Sequence, residues 1–273
     1  MRKICVINQK GGVGKTTTTA NIAYGLADAG KKVLVVDLDP QGNISQYFPV
    51  QEQNQDVFDV LVGSAELYEC IQEVDEYISV LPSRETLTKA ELMMAGEPGR
   101  EGIMSRKLAG LSGYDYILID CAPSLGLLNQ NAMLFANEAF IPVSTDYLGV
   151  EGLKKIMAAM NTINDVFEHD LQITKVIPTM FDARVKHCKE SLARIQNEFY
   201  EAATNPIRIN SKLKDAPKYT KSIFELDRRS NGAKDYRQLV NHIIQDEEKY
   251  AADAVEESVE MPIREGGMVL MTF

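Results

Sequence analysis

Between a short apolar run, Ile4-Cys5-Val6-Ile7, and a helical pattern that begins at Thr16 stands the segment Lys10-Gly11-Gly12-Val13-Gly14-Lys15-Thr16-Thr17. Glycine at 11, 12 and 14 lets the chain turn sharply from strand to helix with successive backbone N–H groups pointing inward. Placed at the positive end of a helix dipole, such a turn cradles a polyphosphate. Lys15 would reach the β- and γ-phosphates, and the Thr16 hydroxyl would coordinate Mg²⁺. Loop spacing, preceding strand and following helix agree, so the sequence predicts a nucleotide site lined by residues 10–17.

The rest of the chain repeats the same alternation. Val33–Val36, Tyr114–Ile119, Ala139–Val143 and Ile173–Ile177 read as further strands. Their nearly continuous apolar runs suit strands buried on both faces of a parallel sheet. Helical patterns lie between and after them, at Thr16–Ala29, Leu125–Asn137, Val150–Phe167, Lys186–Ala202 and Gly232–Gln245. This predicts an α/β fold with a doubly wound, mostly parallel sheet flanked by helices, formed by one domain over residues 1–247. Gln51–Gln55 reads as a polar loop, and residues 248–273 as an acidic, loosely attached tail.

Composition narrows the partners. The 273 residues carry a net charge of −10, with 45% hydrophobic and 25% charged residues. No apolar run approaches the ~18 residues of a membrane span, and no signal-peptide layout precedes the first strand. Cys5, Cys70, Cys121 and Cys188 are widely spaced, which fits reduced thiols in a cytoplasm. His169, His187 and His242 have no metal-ligand spacing. The charge is uneven: Gln51–Gly102 holds 12 acidic against 3 basic residues, whereas Thr204–Arg237 holds 9 basic against 4 acidic. The second segment reads either as a patch for a polyanion or as a solvated helix face.

Two acidic motifs accompany the loop. Asp37-Leu38-Asp39-Pro40-Gln41-Gly42-Asn43 follows the second strand. A carboxylate there can hold Mg²⁺ through water or orient an attacking water. Tyr116-Ile117-Leu118-Ile119-Asp120 is an apolar run ending in a carboxylate, suited to coordinating metal-bound water beside a γ-phosphate. The loop itself departs from G-x-x-x-x-G-K-[ST]: residue 9 is Gln9 instead of glycine, and Lys10 adds a second cation. With Lys15 serving its own nucleotide, Lys10 is free to serve one bound by a facing subunit.

The Lys10–Thr17 segment resembles the deviant Walker A motif of the ParA/MinD family of P-loop ATPases, with Lys10 at the signature lysine. The resemblance spans roughly residues 2–245 and is nearest to small Soj-like and plasmid ParA partition proteins, through Pro178–Arg184 and Ile207–Tyr236 as well. With the loop starting at residue 10, no N-terminal helix-turn-helix domain is expected. The resemblance implies ATP and Mg²⁺ as cofactors and an ATP-dependent homodimer in which Lys10 reaches the partner's phosphates. It assigns Lys10, Lys15 and Asp39 to catalysis, Asp39 positioning the water. Thr16, Asp37 and Asp120 go to the metal, and Met180 and Pro206 to the adenine. It further implies non-specific binding to double-stranded DNA through Arg184 and Lys212, with Lys214 and Lys218 beside them. A ParB-like centromere-binding protein would stimulate hydrolysis, and the protein would be cytoplasmic and nucleoid-associated. Two departures stand out: Lys212 replaces a usual arginine, and Ile209 a common basic residue. The alternative is a MinD-like membrane-positioning ATPase. That branch ends in a basic amphipathic helix, whereas this chain ends in Glu256, Glu257 and Glu260 and a short apolar stretch.

Overall fold

The computed structural model describes residues 1–51 and 54–259, the side chains at 147–148 and 248–259 excepted. Seven strands form one sheet: β1 (Arg2–Val6), β2 (Val33–Leu38), β3 (Gln72–Glu73), β4 (Ile78–Leu81), β5 (Tyr116–Cys121), β6 (Glu138–Ser144) and β7 (Gln172–Thr179). Their spatial order is β3-β4-β2-β5-β1-β6-β7, and every pairing is parallel except that of β3 with β4. The five strands expected from the apolar runs are present within two residues of their expected starts.

Parallel strands alternate their side chains between two covered faces, which is why the strand sequences carry almost no polar positions. Ile4 and Val6 of β1, Val33 and Val35 of β2 and Leu118 of β5 turn to one core. There they meet Ala20, Ile22, Ala23 and Leu26 of the helix Lys15–Asp28 and Tyr236, Leu239 and Ile243 of the helix Asn231–Val259. Cys5, Leu34, Val36, Ile117 and Ile119 turn to the other core. That one is closed by Leu128, Ala132 and Met133 of the helix Leu127–Phe135 and by Val150, Leu153 and Ile156 of the helix Tyr147–Phe167. Ion pairs fasten the rim, among them Arg2–Glu138 and Lys31–Glu247.

The helix Asn231–Val259 runs past the boundary expected at residue 247, so residues 248–259 continue a helix. The remainder of the acidic tail, 260–273, lies outside the described residues. Within the acidic segment the chain forms β3, β4 and several helices of six residues or fewer. Leu67, Cys70, Leu87 and Met94 anchor these to the second core.

The ends of β1, β2 and β5 fall side by side. In register, Val6 stands opposite Asp120, and Asp120 opposite Asp37. This carboxyl edge of the sheet is where open α/β sheets bind ligands, and it gathers the loop and both acidic motifs.

Candidate nucleotide site at the phosphate loop

The loop leaves β1 through Asn8, which is fully buried. Its amide donates to the Pro142 carbonyl at 2.7 Å, and its Oδ1 accepts the Lys10 N–H at 2.9 Å. Gly12 and Gly14 take φ values of 72° and 91°, and a Cβ on either would meet only open space. Glycine is therefore required by the backbone turn, and the concave side is clear for a ligand. The helix starts at Lys15 with no capping side chain and no acidic residue in its first turn. Its N–H groups and dipole are thus left for an anion.

Lys15 is buried, its Nζ donating to the Lys10 carbonyl at 3.4 Å. Burial lowers its pKa, opposed by the negative field of Asp120, Cys121 and Asp39. Thr16 Oγ1 donates to Asp120 Oδ2 at 2.7 Å, and Thr19 Oγ1 to Asp120 Oδ1 at 3.2 Å. Asp120 is completely buried, which pushes its pKa up to about 7 against those hydrogen bonds and the Lys15 charge. Asp37 is raised as well, by burial and by Asp120. Its two oxygens accept the N–H groups of Asp39 at 3.0 Å and Ile44 at 3.2 Å, which ties the loop after β2. Asp120 is thus the carboxylate directed at Thr16.

Asp39 is nearly buried, 8% exposed, with Oδ1 accepting the Gln41 N–H at 3.0 Å. Its backbone carbonyl is anchored by Ser83 Oγ. The buried Asp120 carboxyl facing the Thr16 hydroxyl, with the buried Asp37 carboxyl opposite it in register, fits a divalent cation, whose charge would offset the burial that raises both. Among the described residues, no three His, Cys, Asp or Glu side chains converge as a metal cage. Mg²⁺ asks for no such cage, because water and substrate phosphates complete its shell.

Lys10 turns to the end of β6. Its Nζ donates to both Asp146 oxygens, at 2.8 and 2.7 Å, and to Ser144 Oγ at 3.1 Å. Asp146 also caps the helix Tyr147–Phe167 by accepting the Gly149 N–H at 2.8 Å. A Cβ on Gly149 would lie 2.1 Å from the Ser144 carbonyl, so only glycine lets the helix start this close to β6.

Beside the loop opens a cavity of about 390 Å³ lined by Val13, Gly14, Thr17, Tyr47, Met180, Ile207, Asn210 and Tyr236, among others. Its size and mixed lining suit a nucleoside. Met180 lines it, with a left-handed φ of 54° that marks local strain. Pro206 does not line it; the β-bridge-like pairing of Phe181 with Arg208 and the Ile207 N–H bond to the Pro178 carbonyl present Ile207 instead. Tyr47 and Tyr236 carry no recognisable motif, yet their hydroxyls bond Thr17 and Thr18 of the first helix, both at 3.0 Å. Asp146 had a local signal, a Ser-Thr-Asp run directly before an apolar helical pattern, which reads as a helix start.

The residues expected to contact DNA, Arg184, Lys212, Lys214 and Lys218, are all exposed. Arg184 is 89% exposed and forks onto Asp182 at 2.9 and 2.7 Å, and this pairing holds Asp182 down at about 2. Lys212 and Lys214 belong to the short helix Ser211–Asp215, capped by Asn210, and Lys214 also borders the cavity. Lys218 pairs with Asp215 at 3.2 Å. Exposed Arg228 and Arg229, which the motif reading passed over, follow in the turn before the last helix. All four cysteines are free and buried. Burial pushes Cys5 up to about 12, which makes it an inert thiol.

Fold and site together define a P-loop nucleotide-binding protein. A family model described as an AAA domain matches residues 1–173. The chain is 36% identical over 245 residues to the sporulation initiation inhibitor protein Soj of Bacillus subtilis, covering 88% of this chain and 97% of that protein. It is 34% identical over 243 residues to the chromosome partitioning protein ParA of Myxococcus xanthus, covering 87% and 86%. A solved structure named cobyrinic acid a,c-diamide synthase, from Mycobacterium smegmatis with bound ATP analogue and magnesium, superposes with a TM-score of 0.77 at 31% identity, covering 90% and 95%. The chain belongs to the Soj/ParA family of P-loop ATPases.

Proposed function

We propose that the protein is a partition ATPase that uses ATP and Mg²⁺ to form a sandwich dimer, binds DNA without sequence preference as that dimer, and releases it on hydrolysis. The loop N–H groups and Lys15 hold the triphosphate, and Tyr47, Met180 and Ile207 enclose the nucleoside. Thr16 and Asp120 would hold Mg²⁺, which would supply positive charge to the phosphates. Asp39 orients the water that attacks the γ-phosphorus in line; the bond to the β-phosphate oxygen breaks, giving ADP and phosphate. Lys10 of the facing subunit completes the positive surround of the transferring group.

The observation that carries this reading is the second lysine. Lys10 is a third exposed, with its ammonium at the end of β6, while the Lys15 ammonium stays at the loop on the Lys10 carbonyl. The full-length likeness to proteins named for chromosome partitioning supports the same reading. Arg184, Lys212, Lys214 and Lys218, with Arg228 and Arg229, supply phosphate contacts that carry no base information. A ParB-like centromere-binding protein is the partner that accelerates hydrolysis, and the site of action is the nucleoid in the cytoplasm. Among the described residues no helix is long and apolar enough to cross a membrane.

The test compares Lys10→Ala with Lys15→Ala. Lys15→Ala removes nucleotide binding, whereas Lys10→Ala keeps it and removes dimerisation and turnover. Full ATPase activity in Lys10→Ala contradicts the shared active site.

A further inference from the structure

The ammonium of Lys10 is saturated within its own chain. It has three hydrogen donors, and it meets three acceptors, Asp146 Oδ1, Asp146 Oδ2 and Ser144 Oγ. The carboxylate is correspondingly stabilised: burial raises its pKa, but hydrogen bonds from Lys10, Ser144 and the Gly149 N–H outweigh burial and leave it below the usual range. The pair borders an open cleft of about 480 Å³ that also takes in His187 and Arg194. It is therefore reachable from solvent through that cleft. Both ends are fixed by backbone: Lys10 by the Asn8 anchor, Asp146 by its place as helix cap.

We propose that Asp146 is the resident counter-ion of Lys10 and that the triphosphate held by a second copy of the chain must displace it. This rests on the sandwich reading above. Asp146 then competes with the partner's nucleotide for one lysine and raises the protein concentration at which dimers form. A diphosphate, with fewer charges near the γ-position, competes less well than a triphosphate. The contact thus favours dissociation after hydrolysis. The pair is partly exposed, 34% at Lys10 and 42% at Asp146. Losing such a competitor changes an equilibrium by about fivefold or less, and a two-fold dimer releases two, so the effect on dimerisation is up to about 25-fold.

The experiment is sedimentation velocity of the full chain with Mg²⁺ and a non-hydrolysable ATP analogue, comparing the parent with Asp146→Asn. Asparagine keeps the cap on the Gly149 N–H, so the helix start is preserved while the charge is removed. The expected result is dimer formation about tenfold tighter than in the parent. Analogue affinity measured at protein concentrations below dimerisation stays unchanged. Asp146→Glu, which retains the charge, returns dimerisation toward the parent, and Ser144→Ala shifts it in the Asn direction by less. An Asp146→Asn dimer equal to or weaker than the parent's overturns the proposal while leaving the sandwich reading intact. Dimers from neither protein remove both.

Discussion

Thr16 and Asp120 are 104 residues apart in sequence and joined by a 2.7 Å hydrogen bond. It links the first residues of a helix that follows β1 to the last turn of β5, across the register in which Val6 faces Asp120. The two groups that would hold the metal on the proposed function are thereby joined within the chain. For Thr16→Ala the fold is expected to persist and the Mg²⁺-dependent part of nucleotide binding to be lost. Saturating Mg²⁺-ATP is expected to raise the parent's melting temperature by about 5–10 °C. Thermal unfolding with and without Mg²⁺ checks this: most of that rise disappears in Thr16→Ala.

Asp39 is nearly buried with one oxygen committed to Gln41, and on the proposed function it orients the water and leaves nucleotide affinity to other groups. Asp39→Ala is expected to slow turnover about 10²- to 10⁴-fold with nucleotide affinity within threefold of the parent's. Phosphate release under saturating ATP, set beside a binding isotherm for the analogue, measures both. A large loss of affinity would assign Asp39 to the metal instead.

The hydroxyl of Tyr236 bonds Thr18 inside the core between the first and last helices, where both residues are buried. Tyr236→Phe leaves the Thr18 hydroxyl without its partner and is expected to lower stability by about 1–2 kcal/mol. Denaturant unfolding reads this directly. The same ring borders the cavity, and phenylalanine retains it, so ligand affinity is expected to change little in the same variant.

How much of this was legible in the sequence follows the range of each interaction. The phosphate loop, its helix and the two aspartate motifs are local patterns of a few residues, and each lies where its pattern indicates. β4 was not legible, because Ile78–Leu81 gives only four residues of strand inside a strongly acidic segment. The last helix runs past its expected end because alanine and glutamate continue beyond Gln245 with no glycine or proline to stop it before Val259. The Lys10–Asp146 pair spans 136 residues and exists only because β6 lies beside β1. Met180 adopts a left-handed backbone without being glycine, so nothing in its residue type announces it. The one-residue change from Pro206 to Ile207 at the cavity wall arises from pairing with the 178–181 segment, which no local pattern encodes.

Lys212 bears on the basic segment most simply, since it sits exposed on a capped turn of helix. Lys212→Ala is expected to weaken DNA binding uniformly across sequences and to reduce the slope of log affinity against log salt by about 1. A titration of two unrelated duplexes at several salt concentrations distinguishes this from loss of a base contact.

The central claim is that nucleotide state controls DNA binding. It is tested most directly by titrating a random-sequence duplex with the protein in Mg²⁺-ATP and in Mg²⁺-ADP, across a range of salt. Binding is expected with ATP and not with ADP, falling steeply as salt rises. ATP binding without DNA binding at low salt, or equal DNA binding in both nucleotides, would contradict it.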